Sequence, residues 1–273
     1  MAPNPEPRTP NSEPRTPTVF PKEHGAYGQL LFPLLTALAV GRRTPSALLL
    51  AGAVVLAFLA HEPLLVLLGQ RGPRAARDER SRAIAWFAVS AAGAVVLGVA
   101  AIVEMRTGVS LARALLLPAA LALVLAIVIV SRREHTLAGE ILAALTFASL
   151  ALPVARAAGA AQIVASTCAA VFAGIFVPAT VCVHAVIART RRPPALAARI
   201  GGVLAAVGSV VALWLLGRWD VISNLSFAAV VPACLVSCVA ALAVRSAKRL
   251  RTIGWSLIVT TLLAAALLML AFG

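Results

Sequence analysis

Residues 45–69 read PSALLLAGAVVLAFLAHEPLLVLLG, a stretch whose only ionisable side chains are His61 and Glu62. A hydrocarbon core about 30 Å thick takes roughly 20 apolar residues in a helix, so this stretch is long enough to cross a bilayer. Eight further segments meet or nearly meet the same requirement, at residues 23–41, 83–104, 110–131, 136–157, 161–188, 195–217, 224–244 and 252–272. They are long and continuous, whereas the strands of a membrane barrel would be shorter and alternate in polarity. Hydrophobic residues make up 61% of the chain and charged residues 12%, and the mean hydropathy is +0.95. A soluble domain does not carry that balance. The expected fold is all-α, a polytopic bundle of about nine transmembrane helices forming one domain over residues 21–273.

The segment before it, MAPNPEPRTPNSEPRTPTVF, repeats EPRTP and has no apolar face to bury, so residues 1–20 are expected to be a disordered, Pro-rich cytoplasmic tail. It also argues against a cleaved signal peptide, because the first apolar run follows a long polar stretch and has no small-residue cleavage pattern. The 24 Lys and Arg residues set the orientation. With the N-terminus inside and nine spans, the clusters Arg71 to Arg82, Arg132–Arg133, Arg189 to Arg199 and Arg245 to Arg251 join the tail on one side. That places 18 cations inside and leaves 6 outside, among them Arg42, Arg43 and Arg218. This bias predicts a bacterial inner-membrane protein with a cytoplasmic N-terminus and an outside C-terminus. The net charge of +14 then reflects topology and attraction to anionic lipid, and no nucleic-acid partner is expected.

Polar groups inside spans cost a few kcal/mol unless they are paired or face a cavity. His61 and Glu62 lie about two turns before the inside end of their helix, and Pro63 leaves the Leu59 carbonyl without its usual donor. Either they form a polar pocket, with Glu62 and His61 in a catalytic role, or Glu62 pairs with an arginine in a kinked helix. Lys22, Glu23 and His24 open the first helix, where an acid suits the helix dipole and His24 and Tyr27 could equally anchor at the interface. Glu140, the third candidate for a catalytic role, lies one turn into the fifth span, where it points into the bundle or meets Arg133; His135 reads as solvated loop. His184, one turn before Arg189, could join it at an anion or could sit at the membrane interface. All four histidines thus fall toward one side.

Cys168, Cys182, Cys234 and Cys238 lie inside spans without a CxxC pair and read as small packing residues. Gly201, Gly202 and Ala205 read as a close-packing face. No Walker loop, GxGxxG or HExxH occurs, and neither a cofactor nor a metal is specified.

Pro21-Lys22-Glu23-His24-Gly25-Ala26-Tyr27 resembles the PK(Q/E)HGA(W/Y) opening of YwiC-like bacterial membrane proteins, with later features similarly spaced over almost the whole chain after the tail. A weaker resemblance is to the UbiA superfamily of intramembrane prenyltransferases. His61-Glu62 falls where its first aspartate-rich motif begins, Arg132-Arg133 at its basic stretch, and His184 to Arg192 at its second motif. That resemblance implies a nine-helix bundle, a cytoplasm-facing cavity and an isoprenoid substrate. Those enzymes hold a diphosphate through magnesium on aspartates, and this chain has only Asp78 and Asp220, one in an inside loop and one outside.

Three classes of function follow. The first is a UbiA-like lipid or isoprenoid binding or transfer protein, with a prenyltransferase-like transferase as its reaction type, in which glutamates replace aspartate or Arg132, Arg133 and Arg189 bind an anionic head group, with Lys22, Glu23, His24 and His184 completing the substrate site. The second is a transporter or channel with a His and Glu path, disfavoured by the scarcity of ionisable residues toward the outside. The third is a metal- or haem-handling protein using His24, His61 and His184.

Overall fold

The computed structural model describes residues 24–105, 108–191, 196–219, 221–244, 246 and 249–273. Among them all regular structure is helical: α1 (His24–Ala39), α2 (Pro45–Leu67), α3 (Pro73–Asp78), α4 (Arg80–Glu104), α5 (Gly108–Val130), α6 (Leu137–Ser149), α7 (Ala151–Ala157), α8 (Gln162–Arg191), α9 (Leu196–Arg218), α10 (Asn224–Ala243) and α11 (Leu250–Phe272). Eight spans are long and apolar enough to cross a bilayer, with α6 and α7 together making one of them. The first apolar segment appears as a shorter helix over Gly25–Ala39. The chain is an integral, multi-pass helical membrane protein.

Two features depart from simple rods. The segment expected as one span at 136–157 breaks at Leu150, where Pro153 offers no N–H to the Ser149 carbonyl and the Ser149 hydroxyl donates back to Thr146 O at 2.7 Å. The short α3 begins at Pro73, a residue suited to the first turn because its missing donor is not needed there.

The loops sort into two ends. At one, Gln70 Nε2 donates to Ile129 O at 2.8 Å, tying the α2–α3 connection to the end of α5, and Arg189 Nη1 to Leu242 O at 3.1 Å, tying the end of α8 to that of α10. At the other, Arg42 N donates to Ala158 O at 2.7 Å and Thr44 Oγ1 to Ala157 O at 2.8 Å. The first is called here the basic end and the second the far end.

The far half is packed solid. Leu34 and Ala37 of α1, Val40 just after it, Leu50 and Ala51 of α2, Cys168 and Phe172 of α8, and Leu268 of α11 belong to one buried cluster. Lipid tails are as apolar as these side chains, so close van der Waals fit rather than hydrophobicity holds such helices together. Small residues permit it: a Cβ on Gly41 would lie 2.6 Å from Ala158 Cβ, and the same close fit recurs toward the basic end, where one on Gly202 would lie 3.0 Å from Ala241 Cβ. Gly202 therefore fulfils the expected packing role, while Gly201 faces open space. Buried Cys234 donates from Sγ to Gly174 O at 3.5 Å, joining α10 to α8.

Candidate functional site

In the basic half the helices part around a cavity of about 1510 Å³. Its walls come from the start of α1, the second half of α2, the early part of α4, the end of α5, α6, the second half of α8 and the start of α11. Most of that surface is apolar, with Phe32, Phe58, Phe147, Ile175 and Trp255 among the large contributors. Tyr27 and Phe58 meet edge to face at 5.2 Å, and Phe58 and Phe147 at 5.8 Å, fixing α1, α2 and α6 around the space. The ionisable groups on the wall gather toward the basic end: His61, Glu62, Arg71, Glu134, His135, Glu140 and Arg251.

Glu62 is 6% exposed and is held by both ends of one guanidinium, Arg71 Nε to Oε1 at 2.7 Å and Nη2 to Oε2 at 2.5 Å. This fork is the geometry that most strengthens an arginine–carboxylate pair. It exists because the chain turns back after α2. Gly69 adopts φ 69°, its N–H reaching Val66 O and that of Gln70 reaching Leu65 O, a helix-ending arrangement that suits glycine. Arg71 is thereby brought under the helix that carries Glu62.

Glu134 is the second carboxylate. Its Oε1 lies 3.3 Å from His135 Nε2, while its Oε2 is buried, 3.8 Å from His61 Nε2, and accepts no hydrogen bond. The loop that holds it is tight: Arg132 takes the left-handed φ of 58°, Thr136 Oγ1 donates to Arg133 O at 2.7 Å and accepts from Gly139 N, and a Cβ on Gly139 would strike Arg133 O. Glu140, on the first turn of α6, has its Oε2 3.0 Å from His184 Nδ1 of α8, close enough for an ion pair but out of line for a hydrogen bond.

Sequence reading and geometry can now be compared residue by residue. His61, Glu62 and Glu140 do share one cavity, and His184 reaches it through Glu140. Glu140 pairs with His184 rather than Arg133, and the arginine partner weighed for Glu62 is Arg71. Arg132 Nη2 donates to Leu68 O at 3.5 Å, and Arg189 Nη1 donates to Leu242 O and Val244 O; neither these two nor Arg133 lines the cavity. Lys22, Glu23 and the His24 side chain lie outside the described residues, although Gly25 and Ala26, next in the chain, line the wall. Arg71, Glu134 and Arg251 are wall residues that the sequence did not single out as site residues. His135 is 68% exposed in its side chain, a solvated loop residue at the mouth of the cavity. Among the described residues no three of His, Cys, Asp and Glu are placed to hold a metal ion.

The sequence matches the YwiC-like protein family over residues 20–156, from the approach to α1 through almost all of α7. The chain belongs to that family. The YwiC-like region thus supplies Glu62, Arg71, Glu134 and Glu140, whereas His184 and Arg251 come from helices beyond it. No curated protein and no solved structure matches this YwiC-like chain.

Proposed function

We propose that the protein binds an amphiphilic lipid or isoprenoid, and transfers or modifies it, in a cavity open toward the cytoplasm of a bacterial inner membrane. The observation that carries this reading is the combination of one large, mostly apolar cavity with a polar rim confined to a single end. Ligand sites are commonly about 300–1,000 Å³ and mostly apolar with a few convergent polar groups, and this cavity exceeds that range. An apolar tail fits the body and a polar head the rim. The solid far half supports a one-sided binding site over a path through the membrane. The orientation rests on the cation bias, which puts the cavity mouth on the cytoplasmic side with the N-terminus, and leaves the C-terminus outside.

In this reading the Glu62–Arg71 fork shapes the rim, while His61, Glu134 and the Glu140–His184 pair face the head group. Lys22, Glu23 and His24, which precede Gly25 in the sequence, are assigned to the same head group, and Arg132, Arg133 and Arg189 supply a positive field at the basic end that attracts an anionic head. The comparison with UbiA-type enzymes enters here as an analogy of architecture. The test is native mass spectrometry of the detergent-purified protein with extraction of whatever lipid it retains. Wild type is expected to carry about one lipid per chain, and Ala143→Trp, which fills the cavity wall on α6, at least fivefold less at unchanged helicity. Equal retention by both would overturn the reading.

A further inference from the structure

The cavity is bounded on one side by two helices that do not close on each other. Phe87, Ala91 and Ala94 of α4 and Ala122, Ala126 and Ile129 of α5 line it. Yet α4 packs against α2 and α3, and α5 against α6 and α7, with no substantial packing between α4 and α5 among the described residues. Both are poorly buried spans, with 11% and 17% of their apolar windows enclosed, against 44% for α2 and 50% for α8. The gap has a frame. At the basic end Gln70, just past α2, donates to Ile129 O of α5 and Arg132, just past α5, donates to Leu68 O beside the end of α2, and toward the far end α7 packs against both α2 and α5. Between those limits four of the seven lining residues of the two helices are alanines, Ala91, Ala94, Ala122 and Ala126, with Phe87, Leu125 and Ile129 the larger ones. Beside it, Val95 of α4 is 64% exposed and Leu123 of α5 65%, surfaces that in a membrane meet acyl chains.

We infer that this framed gap is a lateral window through which the apolar tail of the bound amphiphile passes directly between the bilayer and the cavity. A head group that stays at the basic end and a tail that slides sideways between α4 and α5 never has to carry the tail through water. That avoids an opposing cost of about 0.8 kcal/mol for each methylene exposed. The inference rests on the lipid-binding reading of the cavity and adds the route and the part of the ligand that uses it.

The test uses the full chain in phosphatidylcholine vesicles doped with either of two photoreactive probes, farnesol or phosphatidylglycerol, each carrying a diazirine at the end of its tail. Peptide mapping then locates the adducts. In wild type, at least one probe is expected to label interior residues such as Phe58 and Phe147. In Ala91→Trp with Ala126→Trp, interior labelling should fall at least fivefold, while labelling of the lipid face of α9 around Leu204 stays constant. Which probe labels the interior separates an isoprenoid from an acyl lipid. Undiminished interior labelling in the double variant, or dimer formation through an Ala126→Cys disulfide between two copies, overturns the window and leaves the cavity reading intact. Absence of interior labelling by both probes in wild type defeats the cavity reading and the window with it. Should the tryptophan pair fail to fold, Ala91→Leu with Ala126→Leu narrows the same gap and must lower the interior labelling at least twofold.

Discussion

At the scale of single residues, the carboxylates of the rim differ in what satisfies them. Glu62 spends both oxygens on Arg71, Glu140 faces an imidazole, and Glu134 keeps one buried oxygen without a donor. Breaking a buried pair by removing one partner strands the other charge, whereas replacing both by apolar groups removes the desolvation cost as well. Arg71→Ala is therefore expected to destabilise the protein by about 3 kcal/mol, the low end for such a loss because Arg71 is partly exposed. Glu62→Leu combined with Arg71→Met should recover most of it. Thermal unfolding in detergent checks both, and equal melting of the single and the double variant would show that the fork contributes no specific stability. The sequence exposed Glu62 as an expensive charge in a span but not its partner. Arg71 reads there as one of five inside arginines, and only the turn at Gly69 selects it. Glu134 stands in the sequence among the carboxylates beside the histidines, but only the tertiary fold, which buries one of its oxygens, gives it a place on the wall.

At the scale of elements, helix positions were legible because the bilayer imposes a length and an apolar composition that leave little freedom. The break at Leu150 and the short α3 were less so, since both depend on local hydrogen bonds that hydropathy does not register. The cap of α2 shows how one side chain links an element to its neighbour. Thr44 Oγ1 accepts from Ala47 N at 3.2 Å and donates to Ala157 O at 2.8 Å. Thr44→Ala loses an N-cap and an interhelical bond together, an expected cost of about 2 kcal/mol, and Thr44→Ser should retain most of the stability. Unfolding midpoints of the three proteins decide the matter; an alanine variant as stable as wild type would rule out the shared role.

For the whole molecule, charge predicts an orientation but is silent about which helices become neighbours. The cation bias predicts the side on which each end lies, and cysteine substitutions at exposed arginines test it. Arg218→Cys should react with a membrane-impermeant maleimide in intact cells, and Arg77→Cys only after the membrane is opened. The native cysteines lie within spans, three of them buried, and give little background. The opposite pattern would invert the topology. Neighbour relations come from packing, and they are what bring His184 of α8 to Glu140 of α6 across 44 residues.

The packed far half also decides what the rim can sense. A transmembrane voltage falls mainly across the layer that excludes water and ions, here the cluster of Leu34, Ala37, Leu50, Cys168 and Phe172. The mouth of the cavity is lined by exposed His135 and partly exposed Arg71, so the rim stays close to the electrical potential of the solution it opens to. A charged group brought to Glu134 or to the Glu140–His184 pair crosses little of the field. The rim is therefore nearly blind to membrane voltage.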